Sequence, residues 1–171
     1  TGRGMDMRKN TLSAALFVFF VYLLSTSAVI YAEENVFNFE NYTCTIADEK
    51  ITITDFDTSY SGYVSIPSHI NGYPVTEIGD NAFEDCKDLT GILIPEGVTH
   101  IGNSAFSHCR GAEEISLPDS LLSIGNDAFL YCDSLKSVII PENADDVGNG
   151  AFEKCYALEN VTILFDVFLN M

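Results

Sequence analysis

The sequence predicts an α/β repeat solenoid: a right-handed coil with one parallel sheet, short helical turns and an N-terminal β-hairpin cap. Three observations predict it. First, four segments align without a gap: Ile78-Gly79-x-x-Ala82-Phe83-x-x-Cys86, Ile101-Gly102-x-x-Ala105-Phe106-x-x-Cys109, Ile124-Gly125-x-x-Ala128-Phe129-x-x-Cys132 and Val147-Gly148-x-x-Ala151-Phe152-x-x-Cys155, each starting 23 residues after the last. Second, an apolar-x-apolar-Pro block recurs between them, as Ile92-x-Ile94-Pro95, Ile115-x-Leu117-Pro118 and Val138-x-Ile140-Pro141. Third, the residues before the array alternate as strands do, over 42–46 and again over 50–54. A fixed period of this length is the signature of units that bury their apolar faces only by stacking.

Within one repeat, the triplet Ile92-x-Ile94 has the two-residue period of a strand, so both apolar chains point inward and Leu93 points out. Proline after the triplet cannot donate to a ladder and stops the strand. The glycines at 79, 102, 125 and 148 imply a tight turn where a side chain would be costly. The next column holds Asp80, Asn103, Asn126 and Asn149, residue types favoured as helix N-caps. The Ala-Phe-x-x-Cys segments are therefore expected to be short helical turns with Ala and Phe facing the core. One helical turn cannot stand alone in water, so it must be held by its neighbours. Phe83, Phe106, Phe129 and Phe152 are expected to form one continuous internal stack.

Upstream, Val64-x-Ile66-Pro67 begins a longer first repeat with Asn71-Gly72 as a turn, and Leu158-x-x-Val161-x-Ile163 begins a last one. That last copy carries Leu164 where proline is expected, and residues 165–171 leave the pattern. The strands at 42–46 and 50–54, joined by Ala47-Asp48-Glu49, suit a hairpin that caps the open apolar end of the array. The expected organisation is an upstream piece and export signal over 1–32, a β cap over 33–60, and about 4.5 repeats over 61–171.

Residues 10–32 carry no charge, follow Arg8 and Lys9, and precede Glu33 and Glu34. A basic lead, an apolar core and a small residue before polar sequence describe a secretory signal cut after Ala32. An uncleaved membrane anchor is the alternative, since 23 uncharged residues can span a bilayer. Either way the array is expected outside the cytoplasm. Residues 1–6 resemble upstream translation or a partial sequence, with Met7 or Met5 as the expected start. Beyond residue 32 there are five basic and 24 acidic residues, a formal charge of −19. A surface of that sign repels phosphate backbones and anionic lipid, which argues against nucleic acid as a partner and limits membrane contact to an uncleaved N-terminal segment.

Four of the five cysteines (Cys86, Cys109, Cys132, Cys155) share one column, and Cys44 lies outside it. Side chains in one column point in parallel, whereas a disulfide needs a crossed arrangement. Buried free thiols fit best, with pairing between neighbouring coils as the alternative. No Cys-x-x-Cys or Cys/His spacing suggests a metal, and no cofactor is implied. The three histidines, His69, His100 and His108, suit solvated positions, and no nucleophile, P-loop or metalloprotease motif occurs. The chain is expected not to be an enzyme. The triplets Asn41-Tyr42-Thr43 and Asn160-Val161-Thr162 match the glycosylation pattern, a frequent chance match.

The pattern Leu-x-x-Ile-x-Ile-Pro-x-x-Val-x-x-Ile-Gly-x-x-Ala-Phe-x-x-Cys, running from Leu89 to Cys109, resembles the BspA-type (Treponema pallidum-type) leucine-rich repeats. That resemblance covers about residues 60–163. It implies a bacterial, less often protist, secreted or surface protein that binds other proteins, host matrix or a cell-surface protein among them. The expected contact surface is the outward row Ser65, Leu93, Ser116, Ile139 and Thr162, flanked by Tyr63, Glu113, Glu114, Lys136 and Asn160. Leu93 and Ile139 are aliphatic where solvent is expected, as a contact surface or mere strand preference would have it. A spacer that displays a further C-terminal domain is the alternative function.

Overall fold

The computed structural model describes residues 36–164, so the expected export segment and residues 165–171 lie outside the described residues. The chain winds as a β-solenoid in which each coil has three sides. The first side is a strand of a five-stranded parallel sheet: β4 (Gly62–Ser65), β7 (Leu89–Leu93), β9 (Glu114–Ser116), β11 (Ser137–Ile140) and β13 (Asn160–Ile163), in that order across the sheet. The register advances by one repeat per strand, as Ile92↔Ile115 and Val138↔Val161 show. Ile92, Ile94, Ile115, Val138 and Ile140 face inward and are buried. Where the fifth coil has Leu164 in place of proline, its N–H donates to the carbonyl of Ile140 at 3.0 Å, a bond proline could not make.

The second side is a parallel sheet that the sequence reading did not anticipate. Its strands β6 (Tyr73–Ile78), β8 (His100–Ile101), β10 (Ser123–Ile124) and β12 (Asp146–Val147) pair in register through Ile78, Ile101, Ile124 and Val147. The N-terminal cap extends this sheet. It has three strands, β1 (Val36–Phe39), β2 (Tyr42–Ala47) and β3 (Lys50–Phe56), where a two-stranded hairpin was expected, and β3 then pairs in parallel with β6. The β2–β3 turn falls at Asp48 and Glu49, both left-handed (φ 49° and 61°), the conformation a tight two-residue hairpin requires. Asn71 and Gly72 make a second such turn (φ 52° and 87°) between β5 (His69–Ile70) and β6.

The third side corrects the expectation of short helical turns: no helix is present among the described residues, and the fold there is all-β with turns. Each Ala-Phe-x-x-Cys segment is a run of turns bounded by left-handed residues, Asn81 and Asp85 in the first coil (φ 59° and 63°), Ser104 and His108 in the second (52° and 63°). Those residues turn the backbone N–H groups sideways toward the next coil instead of along a helix axis. Phe83 N–H donates to Ala105 O at 2.7 Å, Phe106 N–H to Ala128 O at 2.7 Å and Phe129 N–H to Ala151 O at 2.8 Å. A single helical turn leaves most of its amides without partners, whereas lateral bonding gives each coil several.

The Asp/Asn column works laterally too, and does not cap helices. Asp80 Oδ1 accepts the Asn103 N–H at 2.6 Å, Asn103 Oδ1 that of Asn126 at 2.9 Å, and Asn126 Oδ1 that of Asn149 at 2.7 Å. The glycines beside it are required by contact with the coil before. A Cβ on Gly125 would lie 2.5 Å from the carbonyl carbon of Gly102, and one on Gly148 would lie 2.4 Å from the amide nitrogen of Asn126.

Inside, the phenylalanines stack in succession, with centroid spacings of 4.9 Å for Phe83–Phe106, 5.3 Å for Phe106–Phe129 and 5.1 Å for Phe129–Phe152. These spacings approach the strand separation of a sheet, because both are set by the rise of one coil. Phe56 of the cap adds a ring at the head, 4.7 Å from Phe83, and Tyr42 packs against both. All five cysteines are buried free thiols. Three of them point at the backbone of the preceding coil, as Cys109 Sγ does toward Phe83 O at 3.2 Å.

Candidate partner-binding face

The five-stranded sheet turns one face to the core and the other outward. Alternation puts the expected residues on that outer face in rows that cross the strands. Ser65 pairs with Leu93, Leu93 with Ser116, and Ile139 with Thr162. A parallel row one step toward the strand starts runs through Tyr63, Gly91, Glu114, Ser137 and Asn160. One step further, Lys136 forms an ion pair with Glu113, which holds the Glu113 carboxyl below its usual range and raises the Lys136 ammonium. Both side chains are exposed.

A shallow groove of about 490 Å³ lies on this face. Tyr63, Leu93, Ser116 and Ile139 of the expected set line it, together with the flanking Glu114. Ser65, Glu113, Lys136, Asn160 and Thr162 are not among its lining residues. Sequence reasoning missed Asp119, Ser137 and Leu164, which line it too, with Leu164 at the edge of the last described coil. The departure from proline at that position was the available signal for Leu164. Apolar side chains are left in solvent along the groove: Tyr63 is 47% exposed, Ile139 57% and Leu164 44%.

Gly91 shapes the groove and was also missed. A Cβ there would meet the Tyr63 ring at 2.8 Å and the Glu114 side chain at 3.0 Å, so the absent side chain is the bed on which Tyr63 lies across the sheet. A glycine in a strand interior signals such a close approach.

Elsewhere, His69 and His100 are exposed, while His108 is half-buried and stacks on Tyr131 with centroids 4.8 Å apart. Among the described residues no group of three His, Cys, Asp or Glu side chains is arranged to hold a metal ion.

Five stacked coils of one repeat, with an outward sheet face, define a solenoid repeat protein. Residues 49–168 match the BspA-type leucine-rich repeat region in six copies, and the chain belongs to that family. It is similar to a leucine-rich repeat protein from Bacteroides capillosus, 34% identical over 77% of this chain and 99% of that one, with a TM-score of 0.69. A leucine-rich cell surface protein from Faecalibacterium prausnitzii is 28% identical, the match spanning 82% of this chain and 44% of that one, with a TM-score of 0.60. The T. pallidum leucine-rich repeat protein shares the fold (TM-score 0.59) at 24% identity, over 76% of this chain and 83% of that one. No curated protein matches the chain.

Proposed function

We propose that the chain is a secreted or cell-surface interaction scaffold that holds a protein partner, such as a host matrix or cell-surface protein, against the outer face of its five-stranded sheet. The observation that carries this reading is the groove, where Tyr63, Leu93 and Ile139 stand in solvent on a rigid parallel ladder. Aromatic and aliphatic anchors on a fixed sheet suit recognition by shape, and the reading gives the chain no catalytic role. The similarity to a cell surface protein of F. prausnitzii supports the placement at the cell exterior. The matched part of that protein is under half its length, which favours a second reading, the array as a spacer that displays another domain.

Replacing Leu93 and Ile139 by Asp tests the first reading in a pull-down or cell-adhesion assay with the purified chain. Both side chains lie outside the core, so the fold survives and binding falls. Unchanged binding by a folded double variant removes the sheet face from the function and leaves the spacer.

A further inference from the structure

The apolar part of the groove lies between two acidic margins. Glu96, Asp119 and Glu142 follow the prolines of successive coils on one side, and Glu113, Glu114 and Glu159 stand on the other. All six are exposed, and Asp119 and Glu114 line the groove from opposite sides. The Glu96 carboxylate is fixed in place, its oxygens accepting the backbone N–H groups of Asp119 at 3.0 Å and Ser120 at 3.3 Å. One cation, Lys136, occurs in these flanking columns, and it is held by Glu113. Lys136 already shows how an ammonium is received here. The wider surface has the same sign, with 24 acidic against five basic residues beyond residue 32.

We propose that the groove takes an extended basic segment of a partner polypeptide, its apolar side chains against Leu93 and Ile139 and its lysine or arginine side chains toward the two acidic margins. This rests on the sheet-face reading above and adds the chemical class of the partner. Complementary charge of this kind steers encounter and fixes orientation, while the apolar row supplies the buried contact. An acidic segment of the same shape is repelled, and a neutral one gains nothing from the margins.

The test uses the purified full chain and three synthetic peptides that alternate arginine with leucine, glutamate with leucine, and arginine with serine. The arginine–leucine peptide binds tightest, the arginine–serine peptide more weakly, and the glutamate–leucine peptide not at all. Replacing Glu114→Gln together with Asp119→Asn weakens arginine–leucine binding about tenfold, the effect of two partly screened charge contacts. Replacing Glu84→Gln together with Asp146→Asn, both exposed and lying on the turn side and the second sheet, leaves it within about twofold. Equal losses in the two pairs would mean diffuse attraction to an acidic protein and overturn the proposal. Binding of the glutamate–leucine peptide as tightly as the arginine–leucine one overturns it as well. Leu93→Ser with Ile139→Ser separates the two levels of the argument. If that variant loses binding while the Glu114/Asp119 variant does not, the sheet face stands and the basic partner falls. If it loses nothing, the sheet face falls too.

Discussion

Phe106 has a phenylalanine ring on each side, at 4.9 Å and 5.3 Å, and no solvent exposure. Replacing it by Ala opens a cavity that neighbouring coils cannot fill without losing their own ladder bonds, so urea unfolding should show a loss of about 3–5 kcal/mol. Phe152 has a described ring on one side and is partly exposed, so the same change there should cost clearly less. Equal costs would mean that the stack does not hold the coils together. Burial also governs the thiols. It pushes Cys44 up to about 11 and Cys86 up to about 12, from an ordinary value of 9.0. Both are raised in the folded state, so between about pH 9 and these values the unfolded chain loses its thiol protons first. Stability is therefore intact below pH 9 and falls as the pH rises through that window, and Cys86→Ala should flatten the fall in a denaturation series. The stack and the buried thiols were legible because columns 23 apart show them directly. The reason for the glycine column was not. Gly102, Gly125 and Gly148 are required by contact with the preceding coil, and one coil read alone suggests only a turn.

At the scale of the element, the same limit explains the missed helix. Asp80, Asn103 and Asn126 are good caps for a helix, and a single repeat contains nothing to contradict that role. In the array the nearest unpaired amide belongs to the next coil, and the side-chain oxygen goes there. Asn126→Ala should therefore leave the Asn149 N–H without its acceptor at a cost of about 1 kcal/mol. Hydrogen exchange would show a faster Asn149 amide while the Phe129 amide, bonded to Ala151, stays protected. An Asn149 amide that is unaffected would sink the lateral assignment. The second sheet was hidden for a related reason: His100–Ile101, Ser123–Ile124 and Asp146–Val147 are two residues long, too short for any alternation to register. The first cap strand, Val36–Phe39, follows closely on the apolar run of residues 10–32, which masked its pattern. By contrast, the outward rows on the main sheet were readable from the triplet alone, since alternation fixes which residue faces out. What alternation could not supply was the groove's shape, which depends on Gly91 and on Leu164.

Across the whole molecule, cohesion and charge act against each other. The core runs as one buried cluster from Tyr42 in the cap to Cys155 in the fourth turn segment. The described residues around it carry 21 acidic and five basic side chains, and of their four ion pairs three are solvent-exposed while Arg110–Asp133 is half-buried at Asp133. Exposed pairs are each worth little, so the net electrostatic effect on the folded array is repulsion between neighbouring carboxylates. Added salt should then stabilise this protein. Raising sodium chloride from about 0.05 M to about 0.5 M shortens the screening length well below the spacing of most of these charges. A relief of about 1 kcal/mol would lift the melting temperature by about 3 °C in a chain of this size. A melting temperature that falls with salt would mean that the ion pairs outweigh the repulsion. The same screening works against the proposed basic partner, whose binding to the groove should weaken as the array itself becomes more stable. Opposite responses of stability and binding to one variable follow from an acidic surface laid over an apolar stack, and a solenoid held together by its surface charges would show both falling together.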